Sequence, residues 1–145
     1  MRGVVRFLAA GGGLGFIPFM PGTWGSVGGI ALLVFFSRNW LALGLVVGAS
    51  LILAQVGEVA FASKDPPQVV VDEIAGMFLA GFGLKPGLWP LAFVLFRFFD
   101  IVKPGFLRSL QRLPGGAGVM ADDLAAGLLT NALLVLGERL FLLLQ

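Results

Sequence analysis

The stretch Ser63-Lys64-Asp65-Pro66-Pro67-Gln68-Val69-Val70-Val71-Asp72-Glu73-Ile74-Ala75-Gly76 decides the fold class. Three consecutive valines favour a strand, because branching at Cβ suits a pleated surface. Their surroundings point the other way. Asp65 followed three residues later by Gln68 has the spacing of a capping box, and Pro66 stands at the first helical position, where a missing N–H costs nothing. This pattern predicts a helix from Pro66 through the valines to about Leu84, stopped by Lys85-Pro86-Gly87. On it, Asp72 and Glu73 lie about two turns in, and Asp65, Asp72 and Gly76 share one face.

The same reasoning extends outward. The first 26 residues are rich in Gly and Pro and end in Pro21-Gly22-Thr23-Trp24-Gly25-Ser26, which predicts a structured loop opening onto a helix over Val27 to Phe36. Ser37-Arg38-Asn39 punctuates the chain. Trp40 to Gly57 then carries no charge and comes close to the ~20 apolar residues that a membrane span needs. A further helix is expected from about Leu88 to Val102, stopped near Pro104. After a Gly-rich loop from Leu113 to Gly118, a last helix is expected from Ala121 or Asp122 to about Leu144. The sum is an all-α, multihelical single domain over residues 1–145, with about five or six helices and no internal repeat. Arg2 and Arg6 before Phe7-Leu8-Ala9-Ala10 begin like a signal peptide. Gly11-Gly12-Gly13 interrupts the apolar run too soon, so cleavage is not expected.

Composition assigns a solvent to these helices. The chain is 58% hydrophobic and 12% charged, against about 25% charged in average soluble domains. Its mean hydropathy is +0.98. A small domain leaves much of its surface in water, so this excess predicts embedding in a bilayer. Trp40 and Trp89 fit interfacial anchors. The net charge of +2 and the lack of a long basic run give no reason to expect nucleic acid. With no Cys, His or Tyr in the sequence, thiol nucleophiles, imidazole bases and phenolic nucleophiles are excluded.

What remains is eight carboxylates, ten Lys and Arg, and a few hydroxyls. In an apolar chain an ionisable side chain is expensive, and it usually faces a polar cavity or a partner. The acids cluster at Asp65, Asp72-Glu73, Asp100 and Asp122-Asp123, with Lys64, Arg97 and Lys103 close to them. Arg97, Asp100 and Lys103, spaced by three, form a cation–anion–cation row along one helix face. Ordinary N-capping explains one acid at the start of the last helix; Asp122 and Asp123 together exceed it. Hard oxygen donors without His or Cys point to Mg²⁺, which uses one or two carboxylates and completes its shell with water and phosphate. The Pro21 to Ser26 segment supplies glycines for close approach and hydroxyls for donation. A plain turn and cap would look similar.

Four motifs in order carry a family resemblance: Pro21-Gly22-Thr23-Trp24-Gly25-Ser26; Lys64-Asp65-Pro66 with Val69-Val70-Val71-Asp72-Glu73-Ile74-Ala75-Gly76; Arg97-Phe98-Phe99-Asp100-Ile101-Val102-Lys103-Pro104; and Gly115-Gly116-Ala117-Gly118-Val119-Met120-Ala121-Asp122-Asp123. Together they resemble the phosphatidylglycerophosphatase A family. The resemblance implies a Mg²⁺-dependent phosphatase that converts phosphatidylglycerophosphate to phosphatidylglycerol and phosphate. It also implies a multi-pass protein of the bacterial cytoplasmic membrane. Two positions depart from the family pattern: Gly105-Phe106 stands where a Trp-Pro pair is frequent, and Pro67 where glycine is common.

The expected site follows from these motifs. Asp72, Glu73, Asp122 and Asp123 are the expected metal ligands. Arg97 and Lys103 are expected to stabilise the transferring phosphoryl group. Asp65 or Asp100 is expected to move a proton. Thr23, Gly25, Ser26 and Lys64 are the expected substrate contacts. Competing readings are a Mg²⁺-dependent headgroup transferase, a small transporter or channel subunit, and a structural membrane protein. The last two leave the gathering of acids and bases beside Gly-rich turns unexplained.

Overall fold

The computed structural model describes residues 1–111, 113 and 115–144. Seven α-helices account for most of them: α1 Arg2–Ala9, α2 Pro21–Phe36, α3 Trp40–Phe61, α4 Val71–Gly81, α5 Trp89–Val102, α6 Gly105–Leu110 and α7 Gly116–Leu143. Short 3₁₀ turns at Leu14–Phe16 and Pro86–Leu88 join them, and no strand occurs among the described residues. The all-α expectation holds. The count rises by α1 and α6, two short helices in segments where no helix is expected.

Three helix starts move, and each shift relocates a functional residue. The helix expected from Pro66 begins instead at Val71. Asp65 does not cap it: its backbone takes a left-handed φ of 50°, and its N–H is held by Glu58 Oε1 at 3.0 Å. Residues 66–70 form a turn closed by Val69 N–H on the Pro66 carbonyl at 2.9 Å, and Val70 N–H reaches the Ala9 carbonyl at 3.1 Å. The valines thus join α1 to α4, and Asp65 leaves the stripe of Asp72 and Gly76. Asp72 and Glu73 stand in the first turn of α4, where the helix dipole favours negative charge.

The second shift is at α2, which starts at Pro21. Pro21 is a good N1 residue, and the expected loop from Pro21 to Ser26 is the first turns of a helix. The third is at α7, which starts at Gly116, whose N–H donates to Gln55 Oε1 of α3 at 2.9 Å. Asp122 and Asp123 therefore lie in the second turn and are not caps.

α4 is the centre of the bundle, packed between α2, α7, α3 and α5. Its residues Ala75, Met77, Phe78 and Ala80 are fully buried, with Leu33 of α2, Phe96 of α5 and Ala126 of α7 around them. The contact with α7 is set by two matching pairs: Asp72 and Gly76 on α4, Asp123 and Gly127 on α7, each spaced by four so that acid and glycine share a face. A Cβ on Gly127 would lie 2.3 Å from the Gly76 carbonyl oxygen, and one on Gly76 would lie 2.8 Å from the Asp123 carbonyl oxygen. Small residues here let the two backbones touch, as in close helix crossings within membranes. One turn further along α7, Asn131 Nδ2 donates to the Ala80 and Phe82 carbonyls at 3.1 and 2.8 Å. It satisfies the end of α4 that would otherwise be orphaned.

Two helices, α3 with 22 residues and α7 with 28, are long and apolar enough to cross a bilayer; α2 with 16 is shorter. α3 turns Leu41, Leu45, Ile52 and Val59 outward. Arg6 of α1 closes its end, donating from Nε and Nη2 to the Ala60 carbonyl at 3.1 and 2.9 Å.

Candidate active site

The starts of α2 and α4, the end of α5 and the second turn of α7 meet at one end of the bundle. There Asp72, Glu73 and Asp123 each offer a carboxylate oxygen, and these oxygens lie within 4.8 Å of one another. Asp72 and Asp123 are buried, and Glu73 keeps partial exposure. Asp72 Oδ1, Glu73 Oε2 and Asp123 Oδ2 are buried without a hydrogen-bond partner. Buried carboxylate oxygens are nearly always paired, and acids this close cannot all ionise alone. Burial, and then the charge of Glu73, holds the Asp72 carboxyl well above the usual carboxylate range. Burial likewise raises Glu73 from 4.5 to about 8, with the charges of Asp123 and Asp100 adding to it and a hydrogen bond with Asp72 opposing it.

A cation row flanks the cluster. Arg97 Nη1 donates to Asp100 Oδ2, and Lys103 Nζ lies 3.7 Å from Asp100 Oδ1 and donates to Asp122 Oδ2. Lys103 reaches both because it ends α5 in a left-handed conformation, φ 45°, which turns the chain back towards α7. Burial works against its charge, but Asp122, Asp123 and Asp100 outweigh that and hold the ammonium above its ordinary value. Arg97 Nε is buried without a partner beside the acids. Among the described residues, five carboxylates (Asp72, Glu73, Asp100, Asp122, Asp123) face two cations, Arg97 and Lys103. The deficit of positive charge and the orphaned hard oxygens fit one divalent cation such as Mg²⁺, held by Asp72, Glu73 and Asp123.

The phosphatidylglycerophosphatase A family profile matches residues 7–138. The chain belongs to that family. Relatives agree with it. A phosphatidylglycerophosphatase A of Haemophilus influenzae is 34% identical, over 86% of this chain and 82% of its own length. One of Escherichia coli is 32% identical, over 89% and 80%. A protein of Bacteroides thetaiotaomicron named a putative phosphatidylinositol-3-phosphatase is 34% identical, over 90% and 91%. No solved structure matches the chain.

Within this family member, the residues singled out from sequence separate into three groups. Asp72, Glu73, Asp123, Arg97, Asp100, Lys103 and Asp122 come together, but Asp122 turns to Lys103 and stands outside the carboxylate trio. Lys64 and Asp65 are exposed and line a hollow of about 270 Å³ with Gln111 and Val119, one turn before Asp122 on α7. The α2 residues are placed differently from expectation. Ser26 is fully buried, and its hydroxyl donates to the Gly22 carbonyl at 2.9 Å. Gly25 packs on Val70, where a Cβ would lie 2.9 Å from the Val70 carbonyl oxygen. Once the segment is helical, these two face α4 and not solvent. Thr23 stays half-buried in the first turn of α2.

The residue missed is Gly22. A Cβ there would lie 2.3 Å from Glu73 Oε1 and 3.0 Å from Arg97 Nη1, so this glycine keeps open the space where carboxylate and guanidinium meet. The signal was in its position directly after an N1 proline, one turn before Ser26.

The raised Glu73 value gives a pH test. Unfolded, its carboxyl ionises near 4.5; folded and metal-free, near 8. Between those values the folded state holds the extra proton, so its stability falls as pH rises. The unfolding midpoint in EDTA is expected to drop from pH 5 to pH 8, and millimolar Mg²⁺ is expected to remove most of that slope. Parallel slopes with and without Mg²⁺ would break the link between cluster and cation.

Proposed function

We propose that the chain hydrolyses the phosphate monoester of phosphatidylglycerophosphate to phosphatidylglycerol and inorganic phosphate, with Mg²⁺ held by Asp72, Glu73 and Asp123. Family membership makes it a phosphoric monoester hydrolase. The observation that carries the reading is the convergence of three acids from α4 and α7, Asp72 and Asp123 buried and Glu73 partly so, beside the free Nε of Arg97.

Water adds to phosphorus, the bond from phosphorus to the headgroup oxygen breaks, and that oxygen leaves with a proton. Bound Mg²⁺ would supply charge neutralisation for the phosphate and a more acidic water. Arg97, fixed by Asp100, donates to non-bridging phosphate oxygens. Lys103 adds positive charge from a position set by Asp100 and Asp122. Asp100 has both oxygens engaged by Arg97 and Lys103, which makes it a positioning residue. With Asp100 engaged, the exposed Asp65 is the group we assign to moving the proton, with Lys64 beside it at the headgroup.

The length and apolar character of α3 and α7 support a bilayer as their surroundings. Arg2, Arg6, Lys64, Lys103 and Arg108 lie towards the site end, against Arg38, Lys85 and Arg139 towards the other. That bias supports a site on the cytoplasmic side of a bacterial inner membrane.

Phosphate release from phosphatidylglycerophosphate in mixed micelles, with Mg²⁺ or with EDTA, tests the reading; turnover that persists in EDTA removes the metal. Phosphatidylinositol 3-phosphate belongs in the same assay, because the Bacteroides relative is named for that substrate. Arg97→Gln is expected to lower kcat by about 10²–10³-fold, as for loss of one preorganised donor. Arg97→Lys should recover little, because an ammonium lacks the planar fork that binds Asp100 and phosphate together. Steady-state kinetics at saturating Mg²⁺ checks both, and an unchanged kcat for Arg97→Gln takes the residue out of the site.

A further inference from the structure

A hollow of about 480 Å³ lies between α2 and α5, lined by Val27 and Ile30 on one wall and by Pro86, Trp89, Pro90, Phe93 and Val94 on the other. Its lining side chains are apolar, and its volume falls within the ~300–1,000 Å³ of small-molecule pockets. What separates it from ordinary lipid-facing surface is its continuity with the site. Trp89, Phe93 and Arg97 are spaced by four and form one stripe of α5. The face that floors the hollow therefore ends at the guanidinium of the site. On α2, Val27 follows four residues after Thr23, the neighbour of Gly22, and Gly22 borders both Glu73 and Arg97.

The two helices run antiparallel, so both walls descend from the polar end towards the other side of the bundle. From Arg97 to Trp89 the descent is roughly 12 Å at the rise of an α-helix. Met20, Trp24 and Phe98, neighbours in sequence of Gly22 and Arg97, are exposed. A polar head and an apolar tail joined in one molecule would span this arrangement, and a free phosphate ester would not use it.

We infer that the α2–α5 groove is an acyl-chain subsite. One acyl chain of the lipid phosphomonoester lies along Phe93, Val94, Val27 and Ile30 while its phosphate sits at Gly22 and Arg97. This rests on the proposed lipid phosphatase activity. The groove makes the lipid enter sideways from the bilayer between α2 and α5. It also aligns the phosphorus for attack by binding a part of the substrate remote from the reaction.

Two measurements test it. Ile30→Trp and Pro90→Trp fill the lower part of the groove from opposite walls, about 10–12 Å below Gly22 and Arg97 at the rise of an α-helix. Each is expected to lower kcat/KM for dioleoyl phosphatidylglycerophosphate at least ten-fold more than for the dihexanoyl substrate, whose chains end high in the groove. Equal losses for the two substrates, or no loss, overturn the subsite. The wild-type protein carries the second measurement: a phosphatidylglycerophosphate with a diazirine at mid-chain should label residues of α2 and α5 that line the groove. Label spread evenly over the outward faces of α3 and α7 overturns it. Wild-type protein that releases phosphate from neither chain length defeats the phosphatase reading itself, a result distinct from either outcome for the groove.

Discussion

Asp123→Asn is expected to reduce phosphate release by about 10³-fold or more while leaving the metal-free protein at least as stable as the wild type. The two effects come from one cause. Asp123 is buried, its Oδ2 lacks a partner, and it shares a cluster within 4.8 Å with Asp72 and Glu73. Without a cation these acids repel, and an amide of the same shape relieves that repulsion. With a cation, the amide removes one anionic ligand, and even indirect partners of metal ligands are worth about 10–100-fold. Asp72→Asn, on the facing helix, should behave alike. The measurements are kcat/KM over a Mg²⁺ titration and the unfolding midpoint in EDTA. Near-normal turnover in either variant would remove that acid from the ligand set. A large drop in the EDTA midpoint would mean that the acid serves packing instead.

Gly127→Ala is expected to disable the enzyme from a position that touches no substrate. One added methyl would lie 2.3 Å from the Gly76 carbonyl oxygen, and that oxygen belongs to a helix backbone that cannot swing aside. α4 and α7 must then separate. Overpacking of this kind destabilises by about 1–3 kcal/mol. The separation also moves Asp123 away from Asp72 and Glu73, and a displacement near 1 Å can reduce turnover by about 10²-fold. Gly137→Ala provides the control on the same helix. A Cβ there meets nothing within 4 Å, so stability should hold or rise slightly through helix propensity. Paired unfolding midpoints and kcat values decide the matter. If both glycine variants behave alike, the close crossing does not set the site.

Much of this architecture is legible from sequence because it rests on local or compositional signals. The 58% apolar content and the charge-free run after Trp40 announce α3, whereas α4 stops at Gly81, three residues before the expected Leu84, because the chain turns at Phe82 and left-handed Gly83. The acids and bases of the site stand out because each is costly in an apolar chain. The start of α4 departs from the capping pattern of Asp65-Pro66-Pro67-Gln68 because Glu58 and Ala9, distant in sequence, hold that segment in a turn. The glycines from Pro21 to Ser26 suggest a structured loop, whereas the segment forms the first turns of α2. In the folded protein they mostly admit α4, and only Gly22 borders the site.

Taken alone, the order of residues settled the class of chemistry: no Cys, His or Tyr leaves oxygen ligands and cations as the working groups. It also settled the helical framework, since propensity, punctuation and hydropathy act within a few turns of chain. Which acids share a cluster was decided only by tertiary packing. Asp122 and Asp123 are neighbours with equal claims in sequence, yet helical geometry points one at Lys103 and the other at Asp72 and Glu73. That division depends on how closely two backbones cross at Gly76 and Gly127, a distance set by contact between helices about fifty residues apart in sequence.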